Sequence, residues 1–202
     1  MKKILIGCAV LGVFLLLVAV GTIGYGVKIL NSFASLYETT AATWAQVENQ
    51  YQRRADLIPN LVNTVKGYAA HEQQTLLDVV QARNQAVSTQ RPSANLNDET
   101  VFRKYQQAQD NLSSALGRLL VVVERYPDLK ANQNFMALQT QLEGTENRIA
   151  VARQDYIRSV QFYNTRLRQI PAGWIAKTFG NYTLKPVFVA TEGAEKVPEV
   201  SF

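Results

Sequence analysis

The 24 residues from Ile4 to Val27 carry no charge, and Lys3 and Lys28 close the run at its two ends. A helix that crosses a bilayer needs about 20 apolar residues at 1.5 Å each, so this run is long enough to span with some tilt. A removable signal peptide has a shorter apolar region, about 7–15 residues, followed by a small-residue cleavage site. The run is too long for that, and no clear Ala-x-Ala site follows it. Residues 1–30 therefore read as a signal anchor that stays in the protein. Leu5-Ile6-Gly7-Cys8 has the form of a lipoprotein box, but only four residues separate Lys3 from Cys8, so no apolar stretch precedes it. Cys8 is expected to be a membrane-buried thiol. Cys8-x-x-x-Gly12 and Thr22-x-x-x-Gly26 have the spacing of closely packed membrane helices, although glycine facing lipid is the simpler expectation.

Lys2 and Lys3 precede the run and Lys28 follows it, with no further Lys or Arg until Arg53. The positive-inside rule then puts the N-terminus in the cytoplasm and the bulk of the chain outside it. The net charge is +5, but Lys2, Lys3 and Lys28 at the anchor supply three of those charges. Beyond the anchor, basic and acidic residues are interspersed without a basic block, so nucleic acid is not an expected partner.

After Lys28 the sequence reads as all-α, with long helices in an antiparallel three- or four-helix bundle over residues 31–170. The first stretch runs from about Asn31 to Val87. Trp44, Val47, Tyr51, Ala55, Ile58, Val62, Val65 and Ala69 recur mostly at steps of three and four, the helical period. No Gly or Pro lies between Leu30 and Ile58, so the anchor helix is expected to continue straight into the bundle. Pro59 is expected to kink this stretch, and division there into two pieces would make the bundle four-helix instead of three-helix. Ser88 to Asn95 is a polar loop, after which Asn97 or Asp98 can cap the next helix. The second stripe is Phe102, Tyr105, Ala108, Leu112, Ala115, Leu119, Val122 and Tyr126, and Pro127 ends it. The third helix is expected from about Asn132 to Ile170, with a heptad-like seam from Phe135 through Leu142, Ile149 and Tyr156 to Tyr163. Short loops between such helices make antiparallel neighbours.

Residues 171–202 differ. Six Gly and Pro residues punctuate them, yet Trp174, Ile175, Phe179, Tyr182 and Phe188 make them apolar. A disordered tail is poor in such residues, so this one is expected to dock, along its own bundle, on lipid or on a partner.

The chemical inventory is narrow, with one His and one Cys in 202 residues. A zinc site needs three or four such ligands, and a di-metal bundle site uses Glu-x-x-His pairs. The chain has no Glu-x-x-His, and His71-Glu72 is not HExxH because position 75 is Thr. No metal, cofactor or catalytic group is expected. The nearest thing to an acid–base set is Glu143 and Glu146, three apart on one face, with His71. Arg53, Arg54 and Asp56, with Pro59, Asn60 and Asn63, form a polar group on the first helix. Glu143, Glu146, Asn147 and Arg153 do so on the third. Interhelical ion pairs, register-fixing polar residues and interaction surfaces are the expected roles. Asn147, between Thr145 and Ile149, and Asn164 are placed near the seam.

Several ordered words in these segments resemble the LemA family. The first runs from Trp44-Ala-Gln-Val-Glu48 through Arg54-Ala-Asp56-Leu-Ile-Pro59-Asn60-Leu-Val-Asn63 to Tyr68-Ala-Ala-His71-Glu72. Tyr126-Pro-Asp-Leu-Lys130, Leu142-Glu-Gly-Thr-Glu146-Asn-Arg-Ile149, Arg153-Gln-Asp-Tyr156 and Phe162-Tyr-Asn164 continue the likeness, and Pro171, Phe179-Gly180 and Pro186-Val-Phe188 close it. Ile157 departs from it, where an Asn is expected after the Tyr. The resemblance implies a bacterial single-pass inner-membrane protein with a helical bundle and no defined reaction. Its family-level associations are magnetosome-membrane proteins and membrane metalloproteases. The functional expectation is a membrane-anchored, non-enzymatic scaffold or adaptor that forms a homo-oligomer, with Arg53, Arg54, Asp56, Asn60, Asn63 and the segment from Trp174 through Phe179 to Phe188 as determinants. The alternative is a regulator of a membrane metalloprotease or envelope-stress system, and a ligand sensor or an enzyme ranks below both.

Overall fold

A computed structural model describes residues 2–69, 71–94 and 96–189. The side chain of Cys8 and residues 190–202, the end of the expected docking tail, lie outside the described residues. Among the described residues six α-helices follow one another: α1 (Lys2–Lys66), α2 (Gln73–Ser88), α3 (Glu99–Val123), α4 (Pro127–Lys130), α5 (Gln133–Arg168) and α6 (Ala172–Gly180). A 3-10 turn, Pro92–Ala94, lies between α2 and α3. The protein is all-α, a helical bundle with one N-terminal helix long and apolar enough to cross a membrane.

The 65 residues of α1 form one helix, about 98 Å long at 1.5 Å per residue. It carries the apolar run into the bundle without interruption. From Val10 to Val27 its large apolar side chains are exposed all round, and burial begins only at Ile29 and Phe33. Of the two alternatives at Pro59, division does not occur, because α1 passes through it and ends at Lys66. Pro59 has no N–H to offer the carbonyl of Ala55, four residues earlier. The Arg83 side chain of α2 supplies the missing donor, its Nε lying 3.0 Å from that oxygen. The helix breaks instead at Gly67, the residue type that most often follows a helix end. Tyr68 and Ala69 both donate backbone N–H bonds to the Val65 carbonyl there. The stretch expected from Asn31 to Val87 is thus two helices folded back on each other.

Paired contacts give the directions. Thr43 meets Ser159, and Arg54 meets Glu146, so α1 and α5 run in opposite senses. Ala86 with Gln109 and Glu72 with Arg125 do the same for α2 and α3. Asp98 caps α3, accepting from the N–H groups of Thr100 and Val101, and Asn132 caps α5 through the N–H of Phe135. The expected stripe on α5 is buried from Phe135 to Tyr163 apart from the half-buried Leu138. Ile170 is 91% exposed, since α5 stops at Arg168.

The core has three sections. Ile58, Leu61, Val65, Val79, Leu112, Leu119 and Phe135 fill the end far from the apolar run. An aromatic section follows, with Trp44, Tyr51, Phe102, Tyr105 and Tyr156. Ile29, Phe33, Tyr163, Leu167, Ala172 and Ala176 form the section nearest the apolar run, where α6 packs on α1 and α5. The turn into α6 requires glycine at 173, because a Cβ there would overlap the backbone carbonyl of Leu167. Backbone cannot rotate away as a side chain can. Gly173→Ala is expected to cost about 1–3 kcal/mol and to loosen α6. Thermal unfolding checks this, and an unchanged melting temperature would count against this packing.

Candidate functional site

The polar residues that the chain places between α1, α3 and α5 form a belt through the middle of the bundle. Arg54 lies at its centre with no solvent exposure. Its place follows from the period: Val47, Tyr51, Arg54, Ile58, Leu61 and Val65 recur at steps of four and three on the buried face. Its Nη1 donates to Ser113 Oγ at 2.6 Å and to Glu146 Oε1 at 2.8 Å. Its Nη2 donates to the Gln109 carbonyl at 3.2 Å and to Gln109 Oε1 at 2.7 Å. A buried guanidinium is tolerable only with such a set of acceptors. Glu146 remains 44% exposed at its side chain, so the pair is buried on one side and wet on the other.

Arg153 of α5 is the second node. Its Nε donates to Tyr51 Oη at 2.7 Å, and its Nη2 donates to Asp110 Oδ1 at 3.0 Å. The guanidinium also lies 4.9 Å from the centre of the Phe188 ring. It therefore joins α1, α3 and the C-terminal segment. Burial pushes the Tyr51 hydroxyl above its usual range despite the neighbouring Arg153 and Arg54. The belt opens on a groove of about 260 Å³ beside Ser113, Glu146, Ile149 and Arg153.

The segment after α6 docks along its own bundle as far as Val189. Asn164 holds it as a strand neighbour would, accepting from the Lys185 N–H at 3.0 Å and donating to the Lys185 carbonyl at 2.9 Å. Tyr163 Oη donates to the Thr183 carbonyl, Tyr156 Oη to Pro186, and Gln106 Nε2 to Val189. Phe188 enters the aromatic section, with ring centres 5.9 Å from Trp44, 5.1 Å from Phe102 and 5.7 Å from Tyr156.

Lys185 is 3% exposed, with Nζ 4.0 Å from the centre of the Tyr37 ring, 5.2 Å from Tyr163 and 3.3 Å from Asn97 Oδ1. Burial lowers its ammonium from 10.5 to about 8. Between those values the folded chain has released a proton that the unfolded chain still holds, so stability rises with pH. Burial raises the Tyr105 and Tyr163 hydroxyls from 10 to about 12, which makes stability fall as pH rises through that higher window. The unfolding free energy is expected to climb from about pH 8 to 10 and to turn over above it. Lys185→Met should flatten the climb in urea titrations, and a climb that persists in it would count against Lys185 as the source.

The other sequence-selected residues separate by face. Arg53, Asp56, Pro59, Asn60 and Asn63 are exposed on α1, and Asp56 accepts from Gln52 at 2.8 Å. Arg53, Asp56, Asn60 and Asn63 follow at steps of three and four, so they make one outward stripe. Asn147 is exposed and lines a groove with Gln46, Asn49 and Gln50 of α1, and so does not sit in the seam. Glu143 is exposed and accepts from Gln139, whereas Glu146 pairs with Arg54, so the two carboxylates are not joined in one site. His71 lies past the end of α1, and that end at Lys66 is about 18 Å along the helix from Arg54. Among the described residues no group of three or more His, Cys, Asp and Glu is placed to hold a metal ion. Trp174 and Phe179 are 64% and 68% exposed.

Sequence reasoning missed Gln109, Asp110 and Ser113. Gln109 carried a signal, since Tyr105, Gln109, Leu112 and Leu116 stand at steps of four, three and four. Asp110 and Ser113 carried none, because each lies at the rim of the α3 stripe.

The chain is similar to the magnetosome protein MamQ of Magnetospirillum gryphiswaldense, with 26% identity over 166 residues that cover 74% of this chain and 61% of that protein. It is also similar to magnetosome protein MamQ 2 of Paramagnetospirillum magneticum, with 28% identity over 162 residues covering 72% of this chain and 60% of that one. The chain thus spans about 60% of the length of the curated relatives it matches. The model of the LemA family matches residues 43–202, which takes in the polar belt, the exposed α1 stripe and the docked segment. The chain belongs to the LemA family.

Proposed function

We propose that this protein is a membrane-anchored, non-enzymatic scaffold or adaptor that assembles with copies of itself. The carrying observation is α1, one helix from Lys2 to Lys66 that joins the apolar run to the bundle without a break. The helix continues unbroken into the bundle, so the bundle stands at a set height above the bilayer in which Ile4–Val27 sits. The Lys2–Lys3 pair keeps the N-terminus in the cytoplasm, and the bundle stands outside a bacterial inner membrane. The exposed stripe of Arg53, Asp56, Asn60 and Asn63 belongs to that same rigid helix and is the assembly surface. The polar belt fixes how α1, α3 and α5 register. That the relatives are named for the magnetosome, and not for a reaction, agrees with a structural part.

Gentle extraction from the native membrane after mild crosslinking, followed by particle mass and composition, tests this. A large particle of this chain alone is expected. Alanine at Arg53, Asp56, Asn60 and Asn63 together should shrink it while moving stability by no more than about 0.5 kcal/mol per site. A particle of fixed ratio with a second protein, such as a membrane metalloprotease, would replace self-assembly with the adaptor reading. A lone monomer would sink both.

A further inference from the structure

Among the described residues nothing covers the apolar face of α6. Ile170, Trp174 and Phe179 are 91%, 64% and 68% exposed, and the Trp174 and Phe179 rings meet edge to face at 6.4 Å. The opposite face is packed, since Ala172 and Ala176 lie with Ile29 and Phe33 of α1 in one buried cluster. A Cβ on Gly180 would stand 3.4 Å from Leu30. These α1 partners begin two residues past Val27, the last residue of the uncharged run. Ile29 to Phe33 is two to six residues beyond that edge, about 3–9 Å along the helix. The headgroup layer on each side of a bilayer is about 5–7 Å thick.

Charge points the same way. Lys28, Arg168 and Lys177 are exposed at this end of the bundle, and none forms an ion pair among the described residues. The sequence has no Asp or Glu before Glu38, nor between Asp155 and Glu192. An apolar patch with Lys28, Arg168 and Lys177 on its rim disfavours a second copy of itself in an isologous contact. The same rim attracts anionic headgroups.

We propose that α6 is a second membrane contact, lying in the headgroup layer of the bilayer that α1 crosses, with Ile170, Trp174 and Phe179 inserted and Lys28, Arg168 and Lys177 on anionic lipid. This rests on the spanning role of α1. Two attachments fix the azimuth of the bundle as well as its height, which a single helix through the membrane cannot do.

The two Trp residues of the chain make the test direct. Trp44 is buried and stands 17 residues past Val27, about 25 Å above the apolar edge. The full chain is placed in vesicles of equal parts phosphatidylcholine and phosphatidylglycerol, with the phosphatidylcholine brominated near the headgroup end of its acyl chains. Trp44→Phe reports Trp174 alone, and Trp174→Phe reports Trp44 alone in an intact core. Trp174 emission should fall at least about twofold with brominated lipid, and Trp44 emission should not change. If W44F unfolds, the difference between the wild type and W174F gives the same quantity. Flotation separates the failures. A chain that floats with its vesicles while Trp174 stays unquenched overturns the α6 contact and leaves the anchor standing. Blue-shifted but unquenched Trp174 emission would mean a protein cover and also overturns it. A chain that does not float overturns both.

Discussion

Arg54→Ala is expected to cost about 3–5 kcal/mol of bundle stability. The truncation removes a fully buried side chain and leaves its acceptors, Ser113 Oγ, both Gln109 oxygens and Glu146 Oε1, without the donor that satisfied them. Most of the loss comes from those stranded acceptors and from the void, and less from the charge pair itself, because Glu146 keeps contact with water. Two further variants separate the terms. Glu146→Gln retains an acceptor and should cost about 1–2 kcal/mol, in the range of a charged hydrogen bond. Arg54→Met keeps the volume and should recover part of the alanine loss. Urea unfolding of the detergent-solubilised chain checks all three. A loss below about 1 kcal/mol for Arg54→Ala would mean that the belt does not hold α1, α3 and α5 together.

Trp44→Ala is expected to cost about 3–5 kcal/mol and to release the docked segment. Trp44 is 1% exposed, and its ring centres on Phe102 at 5.2 Å, Tyr156 at 5.1 Å and Phe188 at 5.9 Å. Trp44 forms one wall of the slot that Phe188 enters, and Phe102 and Tyr156 form the others. Removing the wall should therefore expose residues 181–189 to protease while the helices persist. Limited proteolysis with far-ultraviolet circular dichroism separates the two effects. Trp44→Phe keeps an aromatic wall and should leave the segment protected. Protection retained in Trp44→Ala as well would show that the segment is held by its backbone bonds to Asn164 and Gln106 and not by the aromatic slot.

The helices were legible because their apolar residues recur at three and four. That period marks one buried face wherever a chain is helical. It located the stripe of α5 from Phe135 to Tyr163 and the α1 core from Trp44 to Val65. The break between α1 and α2 was misread for a physical reason. Pro59 is a strong local signal against helix, and what offsets it is a donor from Arg83, 28 residues away along the chain. Gly67, a weaker local signal, became the true helix end.

The candidate site divided in the same way. Arg53 and Arg54 are neighbours of the same type, yet one is exposed and the other fully buried. The sequence reading grouped Arg54 with Arg53 and Asp56, and only packing separates them, since the acceptors that let Arg54 be buried come from α3 and α5. Asn147 looked like a seam residue by its neighbours and is exposed, because the α5 stripe turns through Thr145 and Ile149 and leaves Asn147 outward.

The sequence alone determined the apolar run, the helical periods, a cap for α3 at Asn97 or Asp98, and the presence of only one His and one Cys. These are local properties, set by residues within a turn or two of one another or by composition. Only the tertiary structure decided that Arg54 and Arg153 are the nodes of one belt, that Asn164 clasps Lys185, and that α6 turns its aromatic face away from the bundle. Each of these joins residues 20 or more apart in sequence or follows from which face a neighbouring helix covers. Burial, and the desolvation that makes a polar group need a partner, exist only once the helices have packed.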